Sequence, residues 1–152
     1  MLSEGFVGSA SPPVPGDRPT YGYGSTYRPD GSPVRQGDKI TPEAARVLLK
    51  RDVANTYEAG VKRCAGDIPM HQYEFDFLVD VAYNMGVRTA CASSMVTLFR
   101  AGEYAQGCDY ILKYDKLLGV HCADPANAGV QGCKGIMARR ERQRRMCQGE
   151  LQ

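Results

Sequence analysis

Six of the nine prolines in this 152-residue chain fall between residues 8 and 38, together with six glycines. No helix of ordinary length survives such a stretch, because proline removes a backbone donor and glycine raises the entropic cost of ordering. The region must therefore fold through turns and short strands. Pro29-Asp30-Gly31-Ser32 marks a hairpin turn, with strands expected near 19–27 and 33–36.

Beyond residue 40 the pattern changes to helical. Thr41 is a good N-cap, Pro42 suits the first helical position, and Glu43 favours the positive end of the helix dipole. Ala45, Leu48, Leu49, Val53 and Tyr57 then recur at helical spacing. A second helix is expected over about 70–85, with Phe75, Leu78, Val79 and Ala82 on one face and Gly86 as its stop. Its apolar character marks it as the central core helix. Shorter helices are expected near 93–100 and 103–114, and an arginine-rich one near 136–148. Residues 119–135 read as a loop bracketed by Cys122 and Cys133. A small hairpin region followed by helices is an α+β arrangement, with no internal repeat.

Length and composition fit a single domain over 1–152, with a hairpin lobe at about 8–38 and a helical lobe at 41–148. The apolar fraction of 43% and charged fraction of 24% are ordinary for a globular chain. No apolar run approaches the roughly 18 residues of a membrane span, so no stable membrane insertion is expected, and Met1 opens no signal-peptide pattern. Net charge is +2, which does not suggest a nucleic-acid partner. The five arginines at 139, 140, 142, 144 and 145 have no aromatics among them. They read as a solvated terminal helix with some stems packed on the core, and their charge would also favour an anionic envelope.

Chemistry points first to the opening residues. Glu4 precedes a Gly/Pro-rich turn carrying Asp17, and Thr20-Tyr21-Gly22-Tyr23-Gly24 follows. Two carboxylates across a turn are the pair that glycosidic-bond hydrolysis requires, one to protonate the leaving oxygen and one to direct water. Taken singly, Glu4 could be a solvated glutamate near a chain end. Asp17 could be an Asx-type turn residue, and Thr20 simply a β-branched strand residue.

The string Glu4-Gly5-Phe6, Asp17 and Thr20-Tyr21-Gly22-Tyr23-Gly24 resembles the phage-type lysozymes, the endolysin family. The resemblance continues in order through Thr41-Pro42-Glu43-Ala44, Gln72-Tyr73-Glu74-Phe75-Asp76-Phe77-Leu78 and Ala82-Tyr83-Asn84-Met85-Gly86. Ser93-Ser94-Met95, Gly102-Glu103-Tyr104 and the closing Gly135-Ile136-Met137-Ala138-Arg139-Arg140-Glu141 complete it. One departure stands out. The family's spacing forward from the glutamate would put the aspartate at Pro13, and its spacing back from the threonine would put it at Val14. Neither can accept a proton, so Asp17 is the nearby carboxylate, in an altered turn.

The resemblance implies a lysozyme-like fold, a small hairpin lobe packed against a mainly helical lobe with the substrate cleft between them. It implies a muramidase acting on peptidoglycan glycan strands for host lysis, as a monomer with no metal or organic cofactor. Glu4 would be the general acid, with Asp17 and Thr20 positioning water. Asn84 would offer its amide to a sugar N-acetyl group, unless it caps its helix. Tyr21, Tyr23 and Tyr27 would offer stacking faces, some of them packing instead. His71 and His121 have no evident partner in the sequence.

Two rivals stay open: a lytic transglycosylase using Glu4 alone, and a non-catalytic peptidoglycan-binding module. The family usually carries a helix before its glutamate, whereas three residues precede Glu4 here. An upstream segment is therefore expected, either a removed export or anchor segment or one lost to an alternative start.

Six cysteines form no metal-binding spacing with the two histidines. The alternatives are scattered buried thiols or three disulfides, and the second suits a lysozyme-like protein of the periplasm or extracellular cell-wall space. Cys122 and Cys133 bracket a loop that can fold back, and Cys91 and Cys108 flank one short helix and its turn. Cys64 with Cys147 then follows by elimination.

Overall fold

The computed structural model describes residues 5–151, so Glu4 lies outside the described residues. The chain divides into two compact units, Met1–Ala59 and Gly60–Gln152.

In the first unit, strand β1 (Val7–Ser11) pairs antiparallel with β2 (Thr20–Gly22). Val7 lies opposite Gly22 and Ser11 opposite Thr20, with a register irregularity between. The pairing of β1 was not apparent from sequence, because Val7–Ser11 is a short, mostly exposed segment without a strong alternation. The expected turn at 29–32 is present. Arg28 N–H donates to Ser32 O at 2.7 Å, and Tyr27 bridges Pro33. The expected strand at 33–36 reduces to that single bridge, since proline cannot donate to a ladder.

Helix α1 (Pro42–Asp52) starts as its sequence predicts, with the Thr41 hydroxyl accepting from Ala44 N–H at 3.2 Å. Its inward residues Ala45, Leu48 and Leu49 are buried. Leu48 joins Ala10, Tyr21 and Val34 in a small apolar cluster flanked by Ile40. Gly22 makes this packing possible. Its φ is +63°, and a Cβ there would lie 3.0 Å from Ala45 Cβ. After Asp52 the helix widens into a π turn, Val53–Glu58, which leads directly into α2 (Ala59–Ala65).

The second unit is helical. After α2 come α3 (Gln72–Met85), α4 (Val87–Cys91), α5 (Ser94–Arg100) and α6 (Tyr104–Asp109). A 3-10 turn, Tyr110–Lys113, follows, then a two-stranded hairpin of β3 (Lys116–Leu117) with β4 (Val120–His121). A further 3-10 turn at Pro125–Asn127 precedes α7 (Cys133–Cys147). The stretch 119–135, expected to be loop, instead holds β4, the 3-10 turn at Pro125–Asn127 and the first residues of α7, with turns between them. Helix α3 is the core element, with Phe77, Leu78, Val79, Val81 and Ala82 each at most 1% exposed. Phe99, Met95 and Ile111 are likewise fully buried.

All six cysteines are paired, in three disulfides within this unit. Cys122 bonds Cys133, as the bracketing of their loop predicts. The other two expected pairings are corrected: Cys64 bonds Cys91, and Cys108 bonds Cys147. The reason is lateral packing. Gly60 on α2 has no side chain, and a Cβ there would lie 2.6 Å from Val87, so α2 and α4 approach closely enough to join Cys64 and Cys91. Cys108 on α6 then meets the end of α7, with its Cα 5.5 Å from that of Cys147. Sequence proximity across one short helix misled the expectation for Cys91 with Cys108.

Candidate active site

Asp17 stands at the end of a tight turn. Its backbone N–H donates to Val14 O at 3.1 Å, with Pro15 and Gly16 (φ +89°) between them. Proline followed by a positive-φ glycine is the signature of a type II turn. The turn is thus closed by backbone atoms, without help from the Asp17 carboxylate, and Asp17 is exposed. The Pro-Val-Pro-Gly segment that displaces the acidic residue in sequence is what builds this turn.

Three residues on, Thr20 opens β2 half-buried, opposite Ser11. Alternation along β2 sends Tyr21 into the core, 4% exposed, where burial is the main cause of its raised pKa, followed by the Asp38 charge. Tyr21 is therefore a packing residue and not a stacking face. Tyr23 is half-buried, its ring 5.9 Å from that of Phe6 and inclined at 59°. Tyr27 is taken up differently. The Arg18 guanidinium sits 5.3 Å from its ring centroid and donates to its hydroxyl at 3.2 Å.

Residues that gave no signal in sequence frame this region. Arg51, near the end of α1, donates to the carbonyls of Arg28 at 2.7 Å and Tyr27 at 3.0 Å. The Ser25 hydroxyl donates to Asp52 at 2.7 Å. Arg28 grips Asp38 through two bonds of 2.8 and 2.9 Å. The Arg35 backbone N–H, then that Arg28 contact, hold the Asp38 carboxyl below the ordinary carboxylate range against partial burial. These contacts link residues far apart in sequence, so no local motif announces them.

Asn84 lies in the helical unit, one residue from the end of α3. It does not cap the helix. Gly86 fills that position, its N–H donating to Ala82 O. Instead Asn84 Oδ1 accepts from Arg140 at 2.7 Å. Arginine can only donate, so this contact assigns the amide oxygen and leaves the NH2 group as what Asn84 can offer. Arg140 also donates to Tyr114 O at 2.7 Å and Gln143 Oε1 at 2.9 Å, while Gln143 donates to Asp80 at 3.1 Å. Arg140, Gln143 and Asp80 are all buried. Burial, then the neighbouring Arg139 charge, pulls the Arg140 pKa down, and Asp80 opposes this.

The arginine cluster is therefore split by environment. Arg140 is a core residue, Arg144 pairs with Glu141 and Asp109, Arg145 pairs with Glu150, and Arg142 is exposed. The histidines have partners that the sequence did not disclose. The ring of His71 stacks on Tyr73, and His121 Nδ1 lies 3.0 Å from buried Asp115. That hydrogen bond, then the Ala123 N–H, lowers the Asp115 pKa.

Among the described residues no group of three or more His, Cys, Asp or Glu is placed to hold a metal ion. Among them, too, no helix is long and apolar enough to cross a membrane.

The phage lysozyme family model matches residues 2–143 of the chain. The endolysin of Bacillus phage B103 is 30% identical over 82% of this chain and 41% of its own length. The endolysin of Salmonella phage P22 is 29% identical over 64% of this chain and 66% of its length. The chain thus spans less than two thirds of each of these relatives. Among solved structures, the endolysin from Escherichia coli O157:H7 phage FAHEc1 gives a TM-score of 0.69 at 28% identity, covering 97% of this chain and 85% of that one. The muramidase domain of SpmX from Asticaccaulis excentricus gives 0.72 at 22% identity over 98% and 89%, a likeness of fold. With its α+β architecture and a family model that matches residues 2–143, this chain belongs to the phage lysozyme family.

Proposed function

We propose that the chain is the catalytic domain of an endolysin, a muramidase that hydrolyses the β-1,4 bond between N-acetylmuramic acid and N-acetylglucosamine. It would act on peptidoglycan strands during host lysis, in the periplasm or extracellular cell-wall space after export or phage-induced release. The single observation that carries this reading is the family match across residues 2–143, a range that includes Glu4, Asp17, Thr20, Tyr23 and Asn84.

Glu4 protonates the glycosidic oxygen as the bond to C1 breaks. Asp17 and Thr20 direct water to C1 from the opposite face, so the anomeric configuration inverts. Inversion requires the two carboxyl groups about 6.5–9.5 Å apart, leaving room for the water. An exposed Asp17 on a turn closed by backbone hydrogen bonds has a carboxylate available for that role. Asn84, its oxygen held by Arg140, donates its amide N–H to an acetamido carbonyl, and Tyr23 lies against a sugar face.

The displaced position of Asp17 favours one second reading, a lytic transglycosylase. There Glu4 acts without an aspartate, and the muramic 6-hydroxyl closes onto C1 in place of water. Mass spectrometry of muropeptides released from purified sacculi by wild type and by Asp17→Ala separates the readings. Reducing ends from wild type, lost with Asp17→Ala, support hydrolysis. A 1,6-anhydro terminus, unaffected by the substitution, replaces it with transglycosylation. Binding to sacculi without any release leaves a non-catalytic module.

A further inference from the structure

Helix α3 carries Asn84 near one end and an open cavity of about 510 Å³ at the other. Pro69, Met70, His71, Tyr73, Glu74 and Tyr104 line it. Twelve residues separate Gln72 from Asn84, which at the helical rise is about 18 Å along α3. Among the described residues, Asp17, Thr20, Tyr23 and Asn84 do not line this cavity.

Its walls are aromatic and held from behind. The Tyr73 ring is stacked on His71, centroids 4.9 Å apart and 15° from parallel. Gly149 approaches the same ring so closely that a Cβ there would lie 3.0 Å from it. Tyr104 packs on Phe99 at 5.4 Å, and its hydroxyl donates to Pro69 O. Glu74 is 5% exposed, with its Oε1 accepting from His71 N–H at 2.7 Å. Among the described residues the lining holds no lysine or arginine, and its charged group is the Glu74 carboxylate.

We propose that this cavity is a second glycan-binding site, taking an N-acetylglucosamine unit of the strand at the end of α3 away from Asn84. The inference rests on the reading of the chain as a peptidoglycan-directed enzyme. A sugar ring presents C–H groups that pack on aromatic side chains, and its hydroxyl and amide N–H groups donate to a carboxylate. The absence of a lining cation disfavours an anionic ligand. The muramic unit of the repeat carries its stem peptide on the lactyl group, a bulky substituent that the unsubstituted N-acetylglucosamine lacks, which favours the latter in a walled cavity. Fixed aromatic walls lose little freedom on binding, so the cavity is pre-organised. A second contact on a polymeric substrate raises retention through effective concentration without changing the chemistry.

Titration of the 15N-labelled full chain with tri-N-acetylchitotriose, a neutral β-1,4 trimer, tests this directly. Saturable shifts are expected at Met70–Glu74 and Tyr104 in wild type and in Asp17→Asn. The shifts at that end should weaken at least tenfold in apparent affinity in His71→Ala, an exposed position whose loss leaves the core intact, and in Tyr73→Ala. Circular dichroism confirms that each variant is folded. If the trimer shifts Asp17–Tyr23 or Asn84 but leaves the α3–α6 cavity silent, the second site is rejected while the enzymatic reading stands. Shifts at the cavity with lysine amide but not with the trimer also reject it, in favour of a cationic ligand. Trimer binding at the cavity in a protein that releases nothing from sacculi upholds the site and overturns the catalytic reading instead.

Discussion

From Tyr27 to Asp38 the hairpin unit is pinned by polar contacts: Arg51 on two backbone carbonyls, and Arg28 clasping Asp38, with Ser25 on Asp52 just before them. The helical unit is pinned by three disulfides and by an apolar core around α3. The candidate water-directing residues, Asp17 and Thr20, sit in the first kind of structure. Asn84 sits in the second, on a helix whose polar neighbours are buried and mutually bonded. The contrast separates two design problems. A carboxylate that must contact water and substrate belongs on a turn, where exposure costs nothing. A side chain that must present one fixed donor belongs where its other polar atom is already bound. Changes to the exposed Asp17 carboxylate should therefore act on rate, and changes to the helical cross-links on stability.

The largest expected effect tests the first half of that contrast. Glu4→Gln is isosteric but has no acidic proton, so turnover on sacculi should fall by about 10²–10⁴-fold while the melting temperature stays near wild type. A variant retaining most of its rate would remove Glu4 from the mechanism. Asp17→Asn should likewise cut turnover with little change in melting, because the turn is closed by backbone hydrogen bonds. Near-normal turnover in this variant would move the chemistry to a single glutamate.

Next come the cross-links. The Cys108–Cys147 bond closes a span of 39 residues and the Cys122–Cys133 bond one of 11. The chain-entropy argument assigns them about 4 and about 3 kcal/mol respectively. Paired serine substitutions should lower stability in that order by denaturant titration, and activity should return to the wild-type level wherever the variant is folded. Specific activity lost in a fully folded Cys108→Ser/Cys147→Ser protein would break the separation. Non-reducing peptide mapping checks the pairing itself.

The smallest effects concern pH. Asp115, held by His121 and the Ala123 N–H, and Asp38, held by the Arg35 N–H and Arg28, both have depressed folded pKa values. Each contributes stability above the ordinary carboxylate pKa of 3.8, and that contribution is lost as pH falls through the lower folded value. Below about pH 4 the hairpin unit should loosen first, since its cross-links are polar, while the disulfides persist. Amide exchange at pH 3 compared with pH 6 would show protection lost around Arg28–Asp38 before α3. Asp38→Asn should reproduce part of that loosening at neutral pH.

Local chemistry was readable without the structure wherever the cause was local. The Pro/Gly stretch excluded helix, Thr41-Pro42-Glu43 started α1 in the right place, Gly86 ended α3, and Cys122 met Cys133 across its own loop. The family motifs, too, are strings of adjacent residues, so the fold class and family followed from sequence. Tertiary structure decided what depends on elements meeting. It joined Cys64 to Cys91 and Cys108 to Cys147, sent Tyr21 inward, buried Arg140 beside Asn84, gave His121 to Asp115, and opened a cavity between the starts of α3 and α6. Periodicity fixes which face of a helix is apolar but not which neighbour covers it. A buried arginine and an exposed one carry the same letter, and only packing distinguishes them.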